Sequence, residues 1–188
     1  MSGVKVLFAH DTEDALVTAA ALINTAANGG EQLADDAELT RFLTEQQFSG
    51  SRTHDRTELD AVRQLRPRLR GIWTSDEATA AEELNALLRE AGALPQLVKH
   101  DQWDWHIHAV AHEAPLQTRM GVEAAMALVD VVRGKQMDRL RVCAAEDCDA
   151  VLIDLSKNRS KRYCDTGNCA NRAHVAAYRA RLAEKAGD

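Results

Sequence analysis

The sequence predicts a mainly α (α+β) protein: a helical N-terminal body carrying a small β-hairpin, followed by a small cysteine-built C-terminal module. Three observations carry that prediction. Apolar residues recur at helical spacing through most of residues 1–136. One stretch near residues 96–110 alternates with period two instead. All four cysteines, Cys143, Cys148, Cys164 and Cys169, crowd into the last part of the chain. The expected division is therefore 1–136 and 137–188.

The helical body is read in order. Residues 1–12 form an extended lead-in. Asp11 or Thr12 caps a first helix, with Glu13 and Asp14 in its acid-favouring first turn. Leu16, Ala20, Ile23 and Ala27 share one face, and Asn28-Gly29-Gly30 ends the helix. A second helix spans Asp35 to Gln47. Leu59, Val62, Leu65 and Leu69 stripe a third from Arg56 to Trp73, with Pro67 as a candidate kink. His54-Asp55-Arg56 reads as the start of that helix rather than a catalytic pair. Thr74 and Glu77 read as a capping box for a fourth helix, stopped by Gly92 and Pro95.

From Pro95 to Ala111, Leu97, Trp103, Trp105, Ile107 and Ala109 alternate with Asp104, His106 and His108. This predicts two short strands joined near His100-Asp101-Gln102, their apolar face covering the helices. Leu116 to Arg133 is the clearest helix, with Met120, Ala124, Leu128 and Val132 in one row. The C-terminal module is expected to dock on it.

The module runs Cys-x₄-Cys, a 15-residue gap, then Cys-x₄-Cys. Four thiolates satisfy the tetrahedral preference of Zn²⁺, and two loops presenting two sulfurs each build a closed structural site. Disulfides are the competing reading. They suit a small extracellular scaffold better than the tail of a larger chain. Val151 and Ile153 predict a strand, and Arg162-Tyr163-Cys164 its return strand. Gly167 makes a turn, and Asn168 caps a helix from Cys169 to about Ala183, with Val175, Tyr178 and Leu182 on its inner face. Knuckle, hairpin and ligand-bearing helix make a treble-clef-like four-cysteine zinc finger.

Composition sets the class. The chain has 188 residues, 45% hydrophobic and 28% charged, which is the balance of a folded protein. It has no apolar run long enough to span a membrane. Val4 to Phe8 is too short for a secretory core, so a cytoplasmic location is expected. Residues 1–140 carry 14 Lys+Arg against 22 Asp+Glu, a formal −8; residues 141–188 carry 9 against 7, a formal +2. An acidic body with a basic tail suggests an anionic partner for the tail. Local neutralisation of a doubly negative four-thiolate zinc site is the competing explanation.

The stretch from Arg141-Val-Cys-Ala-Ala to Ser160-Lys-Arg-Tyr-Cys164-Asp-Thr-Gly-Asn-Cys169-Ala-Asn171-Arg172 resembles the bacterial CGNR zinc finger. Ala170 stands where that motif has glycine; a helix-forming alanine there leaves the ligands in place. Asp11, Asn24 and Thr25 resemble the ABATE domain that precedes this finger in its family. The resemblance implies a stress-induced transcription regulator, with Cys143, Cys148, Cys164 and Cys169 as ligands of one structural Zn²⁺. It also marks Asn171 and Arg172 as motif residues.

Two functions follow as expectations. Lys157, Arg159, Lys161, Arg162, Arg172, His174 and Arg179 are candidate contacts to duplex DNA. A homodimer would present two such patches. Alternatively the zinc finger is purely structural, in a small-molecule or protein-interaction module. Asn171 would then bond a knuckle backbone, and Arg172 would pair with Asp165 or an acid on the body. Trp73, Trp103, Trp105 and Arg119 are candidates to line an effector pocket in the body. His100, His106 and His108 are candidates for a second metal, or for the polar face of a sheet or the rim of a pocket. An enzyme is not expected: four sulfurs leave zinc no open position, and no phosphate loop, nucleophile elbow or H-E-x-x-H motif is present.

Overall fold

The computed structural model describes residues 7–99 and 105–186, without the side chains of 184–186. The body is built from α1 (His10–Asn24), α2 (Asp36–Glu45), α3 (Arg56–Thr74), α4 (Glu77–Glu90) and α5 (Leu116–Arg133). Between α4 and α5 lie strands β1 (Gln96–Val98) and β2 (His106–His108). The tail contributes β3 (Leu140–Val142), β4 (Val151–Ile153) and α6 (Cys169–Ala186).

Helix α5 is the centre of the body, packed on α1, α3 and α4. Its apolar row is the reason: Met120, Ala124, Leu128 and Val131 are all buried, and Ala125 and Gly121 keep the backbone approachable. A Cβ on Gly121 would lie 3.3 Å from the Leu65 side chain, so α3 and α5 meet closely there. Leu59, Val62, Leu69 and Ile72 supply the facing surface of α3. Pro67 sits inside α3 without splitting it.

Helix starts differ in detail from the expectation. α1 begins at His10 after Ala9, and no side chain caps it; Asp11 instead accepts from the Thr12 amide at 2.9 Å. α3 is capped by Asp55, which accepts from the Glu58 amide, so His54-Asp55-Arg56 is a helix start. α4 is capped by Asp76, accepting from the Thr79 amide at 2.8 Å, not by Thr74. Thr74 ends α3, its hydroxyl bonded back to the Arg70 carbonyl. An Asp one residue before Glu77 outcompetes a Thr three residues before it because it sits at the cap position itself.

β1 and β2 pair antiparallel, with Gln96 opposite His108 and Val98 opposite His106. The expected joint at His100, Asp101 and Gln102 lies outside the described residues, as do Trp103 and Asp104. The facing of this ribbon is the reverse of the expectation. Leu97 is 67% and Trp105 66% exposed, and Ile107 is exposed too, while His106 and His108 are half-buried. The histidines turn toward the helices, as does Ala109 just past β2, while Leu97, Trp105 and Ile107 do not.

β4 pairs antiparallel with β3, Val151 opposite Val142, rather than with Arg162-Tyr163-Cys164. That segment forms no strand; the Arg162 carbonyl accepts from the Ala144 amide at 2.9 Å. The β3–β4 ribbon packs on α1 and α3, not chiefly on α5 as expected. Val151 and Ile153 are buried in the same apolar core as the helices.

Candidate metal centre

Two knuckles deliver the four cysteines. Cys143 follows β3 and Cys148 precedes β4, so the first pair flanks one tight loop. Cys164 and Cys169 flank a second, ending at the start of α6. Gly167 is needed there because a Cβ would lie 3.0 Å from the Cys169 sulfur. Asn168 takes a left-handed φ of 52° and closes the first turn of α6 through its backbone carbonyl, which accepts from the Arg172 amide.

All four sulfurs are buried and lie within 4.8 Å of one another. Cys148 and Cys164 sulfurs are 3.7 Å apart, and those of Cys164 and Cys169 3.8 Å. Zinc–sulfur bonds of about 2.3 Å at tetrahedral angles place sulfurs about 3.8 Å apart, so the cage has the size of a Zn²⁺ site. A covalent S–S bond is only about 2.05 Å long, and no pair approaches it. The donor set therefore fits one structural zinc, held by Cys143, Cys148, Cys164 and Cys169.

The surroundings pull the thiols in opposite directions. The Cys164 amide points at the Cys143 sulfur at 3.5 Å, and the Thr166 hydroxyl donates to the Cys164 sulfur at 3.3 Å. Burial pushes the Cys148 thiol up to about 12. Burial also acts against Cys164, but the Thr166 hydroxyl and amide and the adjoining thiols outweigh it and bring that thiol to about 7. A divalent cation resolves the mismatch by holding all four sulfurs ionised.

Arg172 stands over this cage. It pairs with Asp147 of the first knuckle through both terminal nitrogens, one at 3.0 Å, and reaches the Cys169 sulfur at 3.3 Å. Asp147 and the sulfur hold the guanidinium further above its ordinary range. Its partner is thus Asp147, rather than Asp165 or an acid of the body. Asn171 is exposed, with no hydrogen bond to a knuckle backbone among the described residues.

A second set of contacts fastens the module to the body, and sequence reasoning did not read it. The Asn24 amide, buried at the end of α1, donates to the Val151 carbonyl at 2.9 Å and accepts from the Val151 amide at 2.7 Å. One side chain thereby stands in for a neighbouring strand. Asn28, at a left-handed φ of 57°, exchanges a matching pair of bonds with Asp149, at 2.7 and 2.9 Å. Its amide also approaches the Cys148 sulfur at 3.9 Å. Arg70 of α3 donates to the Asp149 carbonyl.

The turn after β4 is organised by Asp154, which is fully buried. It accepts from the Ser156 amide and hydroxyl and the Lys161 amide, and pairs with Arg141 at 3.2 Å. Arg139, also buried, donates to the carbonyls of Asp154 and Ser156. The Asp154-Leu-Ser156 sequence was the available signal, since Asp and Ser build such turns.

The basic candidates separate into two groups. Arg159 pairs with Asp138 at 2.6 Å, Lys161 with Asp165 at 2.6 Å, and Arg172 with Asp147. Lys157, Arg162, His174 and Arg179 are exposed and have no ion-pair partner among the described residues. Val175, Tyr178 and Leu182 do not face inward: Tyr178 is 57% exposed and the other two are exposed as well. Among its described side chains, α6 buries its ligand end.

The body holds a cavity of about 390 Å³ between α1, the loop after α2, β2 and α5. Arg119 lines it as expected, with His106, His108, His112, Phe48 and Glu123. Trp73 does not. It is buried in the core, and its indole N–H has no acceptor among the described residues. Trp105 points to solvent and Trp103 lies outside the described residues. Arg119 is buried, its three nitrogens donating to the carbonyls of Ala114, Ser49 and Ser51. Its guanidinium lies 5.5 Å from the Phe48 ring centre. Burial pushes Arg119 below its ordinary value, opposed by Glu123 and Glu58.

These features define a helical body carrying a closed, treble-clef-like four-cysteine zinc finger. The comparisons agree. Residues 16–135 match the family model ABATE, described as "Putative stress-induced transcription regulator", and residues 139–182 match the CGNR zinc finger. The chain belongs to the ABATE family and carries its zinc finger. That family is regulatory rather than catalytic. No curated protein matches the sequence significantly. Among the described residues, no helix is long and apolar enough to cross a membrane.

Proposed function

We propose that this protein is a cytoplasmic bacterial transcription regulator. The zinc module contacts duplex DNA, and the helical body, residues 1–136, senses an effector in its cavity. One observation supports this most. Helix α6 leaves the zinc cage exposed from His174 to Ala183, and Lys157, Arg162 and Arg179 are not consumed by ion pairs among the described residues. Unpaired cations on an exposed helix and an adjoining turn suit phosphate contacts. Arg159, Lys161 and Arg172 are held by acids of the module or its edge, so they contribute less.

The test is duplex binding measured against salt. Binding should weaken steeply as salt rises. Arg162→Glu and Arg179→Glu should each weaken it and flatten the log–log salt slope by about one. Unchanged binding in the double variant, with zinc retained, refutes DNA contact by this surface.

A second reading keeps the zinc finger purely structural and makes α6 a protein-interaction element. Val175, Tyr178 and Leu182 favour it, being exposed and spaced along one helical face. A homodimer joined through this stripe unites the two readings by presenting two basic surfaces. Tyr178→Glu distinguishes them: it should abolish self-association if the stripe is the dimer surface and leave a monomer's DNA binding unaltered if it is not.

A further inference from the structure

We infer that the body cavity takes a small organic monocarboxylate, its carboxylate on Arg119 and its apolar part against the walls beyond. Three observations carry it. The first is a buried charge without a counter-charge. Arg119 is 6% exposed, and it forms no ion pair among the described residues. A guanidinium has five N–H donors. Three of them go to the carbonyls of Ala114, Ser49 and Ser51. The other two, one on each terminal nitrogen, have no acceptor among the described residues. Two N–H groups on one planar cation match the two oxygens of a carboxylate.

Carbonyl dipoles do not cancel a buried charge, and an uncompensated one is costly. Glu123 and Glu58 favour the charge of Arg119 without forming an ion pair with it. The other two buried arginines answer that cost within the fold. Arg66 pairs with Glu31 at 2.6 Å, and Arg139 donates into the turn that buries the Asp154 carboxylate. Of the three, Arg119 alone lines the cavity.

The second observation is the cavity itself. About 390 Å³ is the size of a small-molecule site. Leu22, Leu69, Met120 and Val122, all buried, give it an apolar wall, and the Phe48 ring lies 5.5 Å from the guanidinium. The third is the charge around it. Asp11, Asp14 and Glu45 also line the cavity, the last two exposed. These acids repel a doubly charged phosphate more strongly than a monoanion, so a single carboxylate on an apolar body is the fitting class. The histidines do not make it a metal site. His106 and His108 share a hydrogen bond at 3.0 Å, and among the described residues only the four cysteines gather as metal ligands.

This inference deepens the reading of the cavity as an effector site by naming the effector's class. It rests on that reading only for its consequence, because carboxylate uptake is measured without DNA. The experiment is titration of the full-length, zinc-loaded chain by calorimetry with benzoate and octanoate. Their amides, benzamide and octanamide, and inorganic phosphate are the comparisons. The expected result is one carboxylate per chain, with contacts from the probe to the Leu22 and Met120 methyl groups in nuclear Overhauser spectra. The matching amide should bind at least about tenfold more weakly, as losing a hydrogen-bonded charge requires. Arg119→Gln should weaken carboxylate binding by at least the same factor, and Arg56→Gln, on the exposed start of α3, should change nothing.

Should Arg119→Gln lose its helical signal, Ala15→Phe carries the comparison: it fills the cavity from α1, leaves Arg119 its three carbonyls, and should abolish uptake. Absence of uptake of both carboxylates by the wild-type chain overturns the site. So does equal affinity for the amide, preference for phosphate, or undiminished uptake by a folded Arg119→Gln chain. Carboxylate uptake without any DNA binding sinks the proposed function and leaves this site standing; the converse leaves the function standing and removes the site.

Discussion

Arg172 shows how one side chain fixes a metal centre without ligating it. It ties the start of α6 to the first knuckle through Asp147 and donates to the Cys169 sulfur. Arg172→Ala should lower zinc affinity by about 10–100-fold in competition with a chelator, while thermal unfolding of the body stays in place. Lysine should rescue little, since a single ammonium cannot span the carboxylate and the sulfur together. Gly50 makes a different demand. Its φ is +113°, and a Cβ there would lie 2.0 Å from the Arg119 guanidinium, which three carbonyls hold in place. Gly50→Ala should therefore destabilise the body by about 2–3 kcal/mol in urea unfolding. Asp154 gives a pH signature. Burial raises its pKa, but the Ser156 and Lys161 hydrogen bonds and Arg141 outweigh that and hold it below the usual carboxylate value. A carboxyl whose folded pKa is depressed stabilises above its unfolded pKa, about 3.9, and that contribution disappears as pH falls through the folded pKa. Asp154→Asn should cost about 2–4 kcal/mol at neutral pH, and the gap from wild type should close below about pH 4.

At the scale of elements, what periodicity encodes was legible and what pairing decides was not. Leu59, Val62, Leu65 and Leu69 announce α3, and Met120, Ala124 and Leu128 announce α5, because a helix's buried stripe is written in one continuous segment. The four cysteines announce the cage for the same reason: their spacing is local. The partner of β4 was not legible. Leu140–Val142 and Arg162–Cys164 are equally short, and the choice is made by Asn24, more than a hundred residues away, offering Val151 both halves of an amide. The facing of β1 and β2 was not legible either, since alternation says which residues share a side but not which side is inward. The exposed stripe on α6 was misread on the same ground: Val175, Tyr178 and Leu182 share a face, but none of the described elements covers it. Asn24→Ala tests the clamp. It strands a buried amide and carbonyl at Val151, so stability should fall by about 2–3 kcal/mol in urea unfolding, with zinc still bound. Unaltered stability would mean the module does not depend on α1.

At the scale of the whole molecule, α1 joins the cavity to the metal centre. Its first turns, at Asp14 and Thr18, line the cavity, and its last residue holds the strand between the knuckles. An effector that shifts α1 therefore has a rigid route to the zinc module, by hydrogen bonds already formed. Removing the metal should loosen the two knuckles and α6 while α1 to α5 persist, because the helical core is shared by five helices and the four buried sulfurs are gathered chiefly by the metal. The chelated protein should then keep most of its helical circular dichroism but become open to proteolysis after residue 142. The most direct test of the four-sulfur zinc centre is metal content joined to X-ray absorption at the zinc edge, on protein purified under reducing conditions. One zinc per chain, in a shell of four sulfurs at about 2.3 Å, is the expected result. Protein without stoichiometric zinc, or a shell containing oxygen or nitrogen in place of any one sulfur, would contradict it.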